Sequence, residues 1–316
     1  MKAHRFAIVM VGALSAALPM LPATSAAAAA RNGRIVFARF HADFAAQLFS
    51  TQANGSELRQ LTHDPAISAG YPDRSPDGRT IVYEGDPASG QGDSEIFTVS
   101  IRGGSSHQLT RNRTEDQDPA WSPDGTHIAL CHSTSEGLPS RIFVMRRDGS
   151  HLRRLTSSRG NGPEAHTSDC EPQWSPNGRW IAFASARAGR SAIYKVPASG
   201  GRIRRVTPLF LDAGDPNWSP DGGRIVFESH VSVPHSSLYT IHPNGSGLQR
   251  LTGGPRSEND LFASYSPDGR RIAFFSDRSG DPDIWVMDAD GRHPHDITPS
   301  SRVIDFAPDW GPSRRR

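Results

Sequence analysis

Seven carboxylates stand at matched places along this chain of 316 residues. Asp116, Asp169, Asp260 and Asp305 each lie five residues before an aromatic side chain (Trp121, Trp174, Tyr265 and Trp310). Asp118, Glu171 and Asp215 each lie three residues before one (Trp121, Trp174 and Trp218). Carboxylates brought face to face repel one another. A hard cation such as Ca²⁺, water, or the basic groups of a partner relieves that repulsion. Asp116, Asp169, Asp260 and Asp305 are the candidate Ca²⁺ ligands, and all seven are candidates for contacting a partner. The competing reading is that an Asp ahead of a strand accepts backbone N–H groups in its own loop.

Other chemistries find less support. The chain has thirteen histidines, but they fall mostly in turns and connections with no regular pair spacing. A metal-dependent lyase or hydrolase acting on a carbohydrate or small ester is the alternative function, and it needs His and acidic ligands that converge. No such set can be assembled from the spacing. Nor is there a Gly-x-Ser-x-Gly nucleophile elbow. No catalytic residue is assigned.

The carboxylates belong to a repeat. Ser75-Pro76-Asp77-Gly78 recurs at 122–125, 175–178 (with Asn177), 219–222 and 266–269. An apolar triplet follows each Gly, as in Ile81-Val82-Tyr83 and Ile128-Ala129-Leu130. An apolar-aromatic pair comes next, such as Ile96-Phe97, and the unit closes on a pair such as Leu109-Thr110. The aromatic stands 12 residues before its closing apolar residue in every unit. Pro presets φ, Asp supplies an acceptor and Gly accepts a positive φ, so the tetrapeptide is a tight turn. Asn54-Gly55, Asp148-Gly149 and Asp290-Gly291 are two-residue hairpin dipeptides. Each unit is therefore four short antiparallel strands. Sheets of that size, repeated radially, make a β-propeller.

The segment Asn32 to Thr62 has three of the four strands and lacks the Trp strand, which Pro308-Asp309-Trp310-Gly311-Pro312 supplies at the other end. The expected fold is an all-β, six-bladed propeller of four-stranded antiparallel blades over 31–312, closed by the C-terminal strand completing the first blade. The aromatics at the repeat position are packing residues, and Arg74 replaces one of them.

Asp118-Pro119-Ala120-Trp121-Ser122-Pro123-Asp124-Gly125, followed by Ile128-Ala129 and Leu155-Thr156, resembles the repeat of the TolB-like propellers, the WD40-like PD40 repeats. The same repeat occurs in the non-catalytic domain of prolyl-oligopeptidase-type peptidases. The likeness runs over nearly the whole chain after residue 30. It implies a periplasmic, non-enzymatic propeller that engages the peptidoglycan-associated lipoprotein through one face. The chain departs from that pattern in lacking the α/β domain expected ahead of the propeller, which puts inner-membrane contacts in doubt.

Residues 1–30 read as a signal peptide: a positive start at Lys2 and Arg5, an apolar run from Phe6 to Leu21, then small residues for cleavage near 26–30. The run is short for a membrane anchor and has no charged stop, so no membrane span is expected after cleavage. A periplasmic, secreted or cell-envelope location follows, with an envelope protein or lipoprotein as the expected partner and a monomer as the expected state. Removing 1–30 leaves 33 basic against 33 acidic residues. A net charge of zero argues against nucleic acid. Residues 313–316 are a basic tail. Cys131 and Cys170 fall near one mouth of neighbouring blades. A disulfide stapling blades three and four is one outcome, and two free thiols are the other.

Overall fold

The computed structural model describes residues 32–40, 45–90, 92–133, 139–157, 167–232, 235–253, 258–300 and 302–313. Residues 1–30, expected to be a signal peptide, and residues 314–316 of the basic tail lie outside these. No helix among the described residues is long and apolar enough to cross a membrane.

Six four-stranded antiparallel sheets form the six blades of a propeller. Blade one is the composite that the chain ends imply: β1 (Asn32–Phe40) lies between β2 (Ala46–Thr51) and the last strand, β24 (Ile304–Pro312). Ile35 faces Trp310 and Arg39 faces Asp305 across that seam. The other innermost strands are β4 (Ile67–Arg74), β8 (Asp116–Trp121), β12 (Asp169–Trp174), β16 (Ala213–Trp218) and β20 (Asp260–Tyr265).

The core is divided into six apolar clusters, each made by two adjacent blades. Ala182, Ile193 and Val206 of blade four meet Trp218, Ile225 and Phe227 of blade five in one of them. Another joins Ala273, Ile284 and Ile297 of blade six to Ile35, Phe37 and Trp310 of blade one. One face of every blade thus supplies half the core of the next, and burial is complete only when the ring is closed.

The repeated polar residues have local backbone duties. Ser75 Oγ donates to Asp77 Oδ1 at 2.7 Å, Arg79 N donates to the same oxygen at 3.0 Å, and Gly78 takes φ 68°. The closing Thr accepts the N–H of the third strand: Leu48 N to Thr62 Oγ1 and Ile96 N to Thr110 Oγ1, both at 2.9 Å. Arg74 is buried where other blades place an aromatic. Its Nη1 donates to Arg34 O at 2.8 Å, and its stem lies against Gly311, where a Cβ would sit 2.3 Å from it.

Candidate functional site

The seven carboxylates do not form one ring. Each innermost strand carries a bulge: on β8, Gln117 faces Cys131 and Ala120 faces Ala129, so three steps on one strand match two on its neighbour. The extra residue is the one three before the aromatic. It takes a left-handed φ in all six blades, at Tyr71 (46°), Asp118 (49°), Glu171 (56°), Asp215 (45°), Phe262 (51°) and Ala307 (49°). A bulge breaks the two-residue alternation of side-chain direction. The residues at minus five and minus three, which plain alternation puts on one face, are therefore separated.

The minus-five set is structural. Asp116, Asp169, Asp260 and Asp305 are all buried, and each holds a base. Arg39 Nε and Nη2 grip Asp305 through two bonds of 2.6 Å. Arg187 meets Asp169 at 2.6 Å, Arg278 meets Asp260 at 2.6 Å, and His132 meets Asp116. The guanidiniums lie over aromatic rings of their own blades, Arg187 over Phe183 and Tyr194, Arg278 over Phe274 and Trp285. Where the acid is absent, so is the base. Ala69 faces Gly85 and Ala213 faces Ser229. At these four positions, expected as Ca²⁺ ligands, each acid is paired inside its own blade, three with an arginine and Asp116 with His132. They do not form one ring of free carboxylates.

The minus-three set lines the central channel. Asp118, Glu171 and Asp215 share a cavity of about 100 Å³ with Tyr71 and Phe262. Glu84 and Glu228 join them from the second strands, β5 (Thr80–Pro87) and β17 (Ile225–Ser232). Four of the five accept a backbone N–H from the bulge residue of the next blade: Asp118 N to Glu84 at 3.1 Å, Glu171 N to Asp118 at 3.2 Å, Asp215 N to Glu171 at 2.6 Å, and Phe262 N to Glu228 at 3.2 Å. Asp118 and Glu171 are thus backbone acceptors that also line the cavity.

Sequence reasoning missed Glu84 and Glu228. Each directly follows an apolar triplet, and each faces a glycine on the inner strand, Gly70 and Gly214. A Cβ on Gly214 would lie 3.3 Å from Glu171 Oε2 and 3.5 Å from Glu228 Oε1. The paired glycine and glutamate in units two and five were the available signal.

Burial and crowding hold protons on Glu84, Glu171 and Asp215 and raise Asp118. Burial, then the Asp118 charge, pushes Glu84 up to about 9. Burial with Asp118 and Glu228 raises Glu171 to about 8. Asp118 reaches about 6 through burial, restrained by the Glu171 N–H. Asp215 is raised well above the carboxylate range by burial, with Glu171 and Glu228 adding to it. No Lys, Arg or His lines the cavity. Apart from His230 beside Glu228, no side-chain base pairs with these desolvated carboxylates among the described residues, which favours a proton, a metal ion or an incoming ammonium or guanidinium.

Cys131 and Cys170 are joined in a disulfide between blades three and four. Their sulfurs lie close to Asp118, but the bonded pair offers no thiolate to a metal. The described histidines do not converge on the channel. His230 touches Glu228 from outside at 2.8 Å, and His166 lies outside the described residues.

Six closed blades around an acidic channel define a ring-shaped propeller with a central cavity. The model of the TolB beta propeller domain matches residues 91–229 and 209–315, and the chain belongs to that family. The Tol-Pal system protein TolB of Francisella tularensis subsp. mediasiatica is 27% identical over 261 residues, 81% of this chain. The chain spans 56% of that relative's length. The crystal structure of TolB from Acinetobacter baumannii superposes with a TM-score of 0.74 at 21% identity, covering 89% of this chain and 67% of that one. The architecture is also shared with an enzyme. An oligogalacturonate lyase in complex with manganese gives a TM-score of 0.55 at 17% identity, over 77% of this chain and 71% of the other.

Proposed function

We propose that this protein is a non-enzymatic, extracytoplasmic binding propeller that takes a basic segment of an envelope protein or lipoprotein into its acidic channel mouth, with Ca²⁺ as the small ion that competes for or bridges the same carboxylates. The observation that carries this reading is the convergence of Glu84, Asp118, Glu171, Asp215 and Glu228 on a channel lined by no cationic side chain. An arginine or lysine entering there would displace the protons that burial holds on Glu84, Glu171 and Asp215 and pair with the carboxylates in a desolvated site, where pairing is strong. The Tol-Pal name of the relative supports an envelope partner. A metal-dependent lyase would want converging His and acidic ligands. The lining here has carboxylates, amides, aromatics, prolines and alanines but no imidazole among the described residues, which favours binding over catalysis.

The test is cross-linking in the native cell. Wild-type protein and the Glu171→Gln/Asp215→Asn variant are expressed at equal levels, and captured envelope proteins are compared. The wild type should retain a partner that the variant loses. Equal capture by both would sink the channel as the docking site. Export is checked separately by release from osmotically shocked cells and by the N-terminal residue of the released chain, expected between 27 and 31.

A further inference from the structure

The zero net charge of residues 31–316 is the balance of two oppositely charged parts. Residues 141–208 form the outer half of blade three and all of blade four. They hold thirteen Lys and Arg against four Asp and Glu, and the remainder holds twenty against twenty-nine. Nine of the thirteen are exposed arginines, whereas Asp148 is the one exposed acid among the described residues of that stretch. The outer edge runs from Arg146 and Arg147 through β11 (Arg153–Arg154) to β15 (Arg204–Arg205). None of these six arginines is in a salt bridge among the described residues.

Two features of this edge call for an anion. Arg204 stands directly across from Lys195, and both cations lie over the Trp180 ring, at 5.6 and 4.7 Å. Like charges held opposite one another destabilise a sheet, and an anion would relieve them. That cluster faces blade five, where Lys195 Nζ donates to Pro243 O at 2.8 Å. On the opposite face of blade four a groove of about 520 Å³ opens toward blade three, walled by Arg153, His127 and Trp174, with Arg153 Nη2 donating to Ala198 O at 3.0 Å. Trp218 and Trp310 satisfy their indole N–H groups on neighbouring carbonyls, at 3.2 Å each. The equivalent Nε1 atoms of Trp121 and Trp174 have no acceptor, and of these two it is Trp174 that lines this groove. Asp124 also lines the groove, but its carboxylate is engaged by Ser122 and Thr126. A buried donor without an acceptor, next to a guanidinium, suits an oxyanion.

We propose that the basic edge of blades three and four binds a linear phosphate-bearing polymer, with the Trp174–Arg153 groove seating one phosphate. A chain follows two blade edges and the groove between them, which a flat bilayer does not. A membrane surface also needs apolar side chains to insert, and among the exposed large apolar residues only Leu152 falls in the stretch. This surface is separate from the channel and does not rest on the channel reading.

The test titrates the mature protein with long-chain inorganic polyphosphate, with phosphatidylglycerol vesicles and neutral dextran as the other arms. Arg153→Glu/Arg154→Glu/Arg204→Glu/Arg205→Glu is compared with Arg59→Glu/Arg79→Glu/Arg270→Glu/Arg292→Glu, which changes net charge equally on other blades. Polyphosphate should bind wild type with an affinity that falls as salt rises. The first variant should lose at least about tenfold with a shallower salt slope, and the second about twofold or less. Trp174→Phe, which keeps the ring and removes the N–H, should weaken binding about threefold or more. Equal losses in the two quadruple variants, vesicle binding without polyphosphate binding, or no binding of polyphosphate at all would each overturn the proposal. Thermal unfolding confirms that every variant compared is folded.

Discussion

Two sets of carboxylates two residues apart on the same strands have opposite fates. At minus five, Asp169, Asp260 and Asp305 each have an arginine within 2.6 Å and Asp116 has His132, so their charges are spent inside the blades. At minus three, Asp118, Glu171 and Asp215 face one another and Glu84 and Glu228 across the channel, with backbone N–H groups as their donors and no side-chain cation in the lining. Residue type alone does not decide what a carboxylate does. The inserted residue, with φ near 50°, is itself the minus-three position and lines the channel, while the position two before it stays in the blade.

The largest expected effect comes from breaking a minus-five pair. Asp305→Ala would strand Arg39, whose side chain is 11% exposed, between Phe37 and Phe49. Removing one partner of a buried pair costs about 3–5 kcal/mol, measured as a lower urea midpoint at unchanged slope. The loss should be largely restored by Asp305→Leu/Arg39→Leu, because a buried pair replaced by apolar groups of similar volume is often neutral. Next comes the staple that ties Asp118's neighbourhood to Glu171's strand. Cys131→Ser/Cys170→Ser should cost about 2–4 kcal/mol, read by the same denaturation.

The channel set should behave in the opposite sense. Glu84 at about 9 and Glu171 at about 8 lie above the ordinary glutamate value of 4.5. Between those limits the folded chain keeps protons that the unfolded chain has released. Their contribution to stability is therefore present at low pH and is lost as pH rises through 8 to 9. Glu84→Gln/Glu171→Gln should raise stability at pH 8.5 by on the order of 1 kcal/mol, and the gain should vanish near pH 5. A gain that is the same at both pH values would show that packing, not charge, sets the difference.

Much of this was legible in the sequence. The turn tetrapeptides, the triplets and the constant 12-residue spacing fix four strands per unit. The lone Trp310 strand at the end and the missing first strand at the start fix six blades. The site was legible only in part. Asp118, Glu171 and Asp215 lie in the channel, but Asp116, Asp169, Asp260 and Asp305 share their repeat logic and do not. The bulge that separates them depends on a backbone angle that no side chain in the six units dictates, since Tyr, Asp, Glu, Asp, Phe and Ala all adopt it. The bases that neutralise the minus-five set were written in the chain, 18 residues after Asp169 and Asp260, but the seam that brings Arg39 to Asp305 exists only in the closed ring. The basic edge was hidden by summing charge over the whole chain.

The most direct measurement is calorimetric titration of the mature protein with Ca²⁺ in two buffers of different ionisation heat, alongside the Glu171→Gln/Asp215→Asn variant. Saturable binding with proton release at pH 8 is expected, because a cation must displace the protons that burial holds on Glu84, Glu171 and Asp215. The variant should lose both the heat and the released protons. Absence of binding in the wild type, or undiminished binding in the variant, would contradict the channel carboxylates as a cation-binding site.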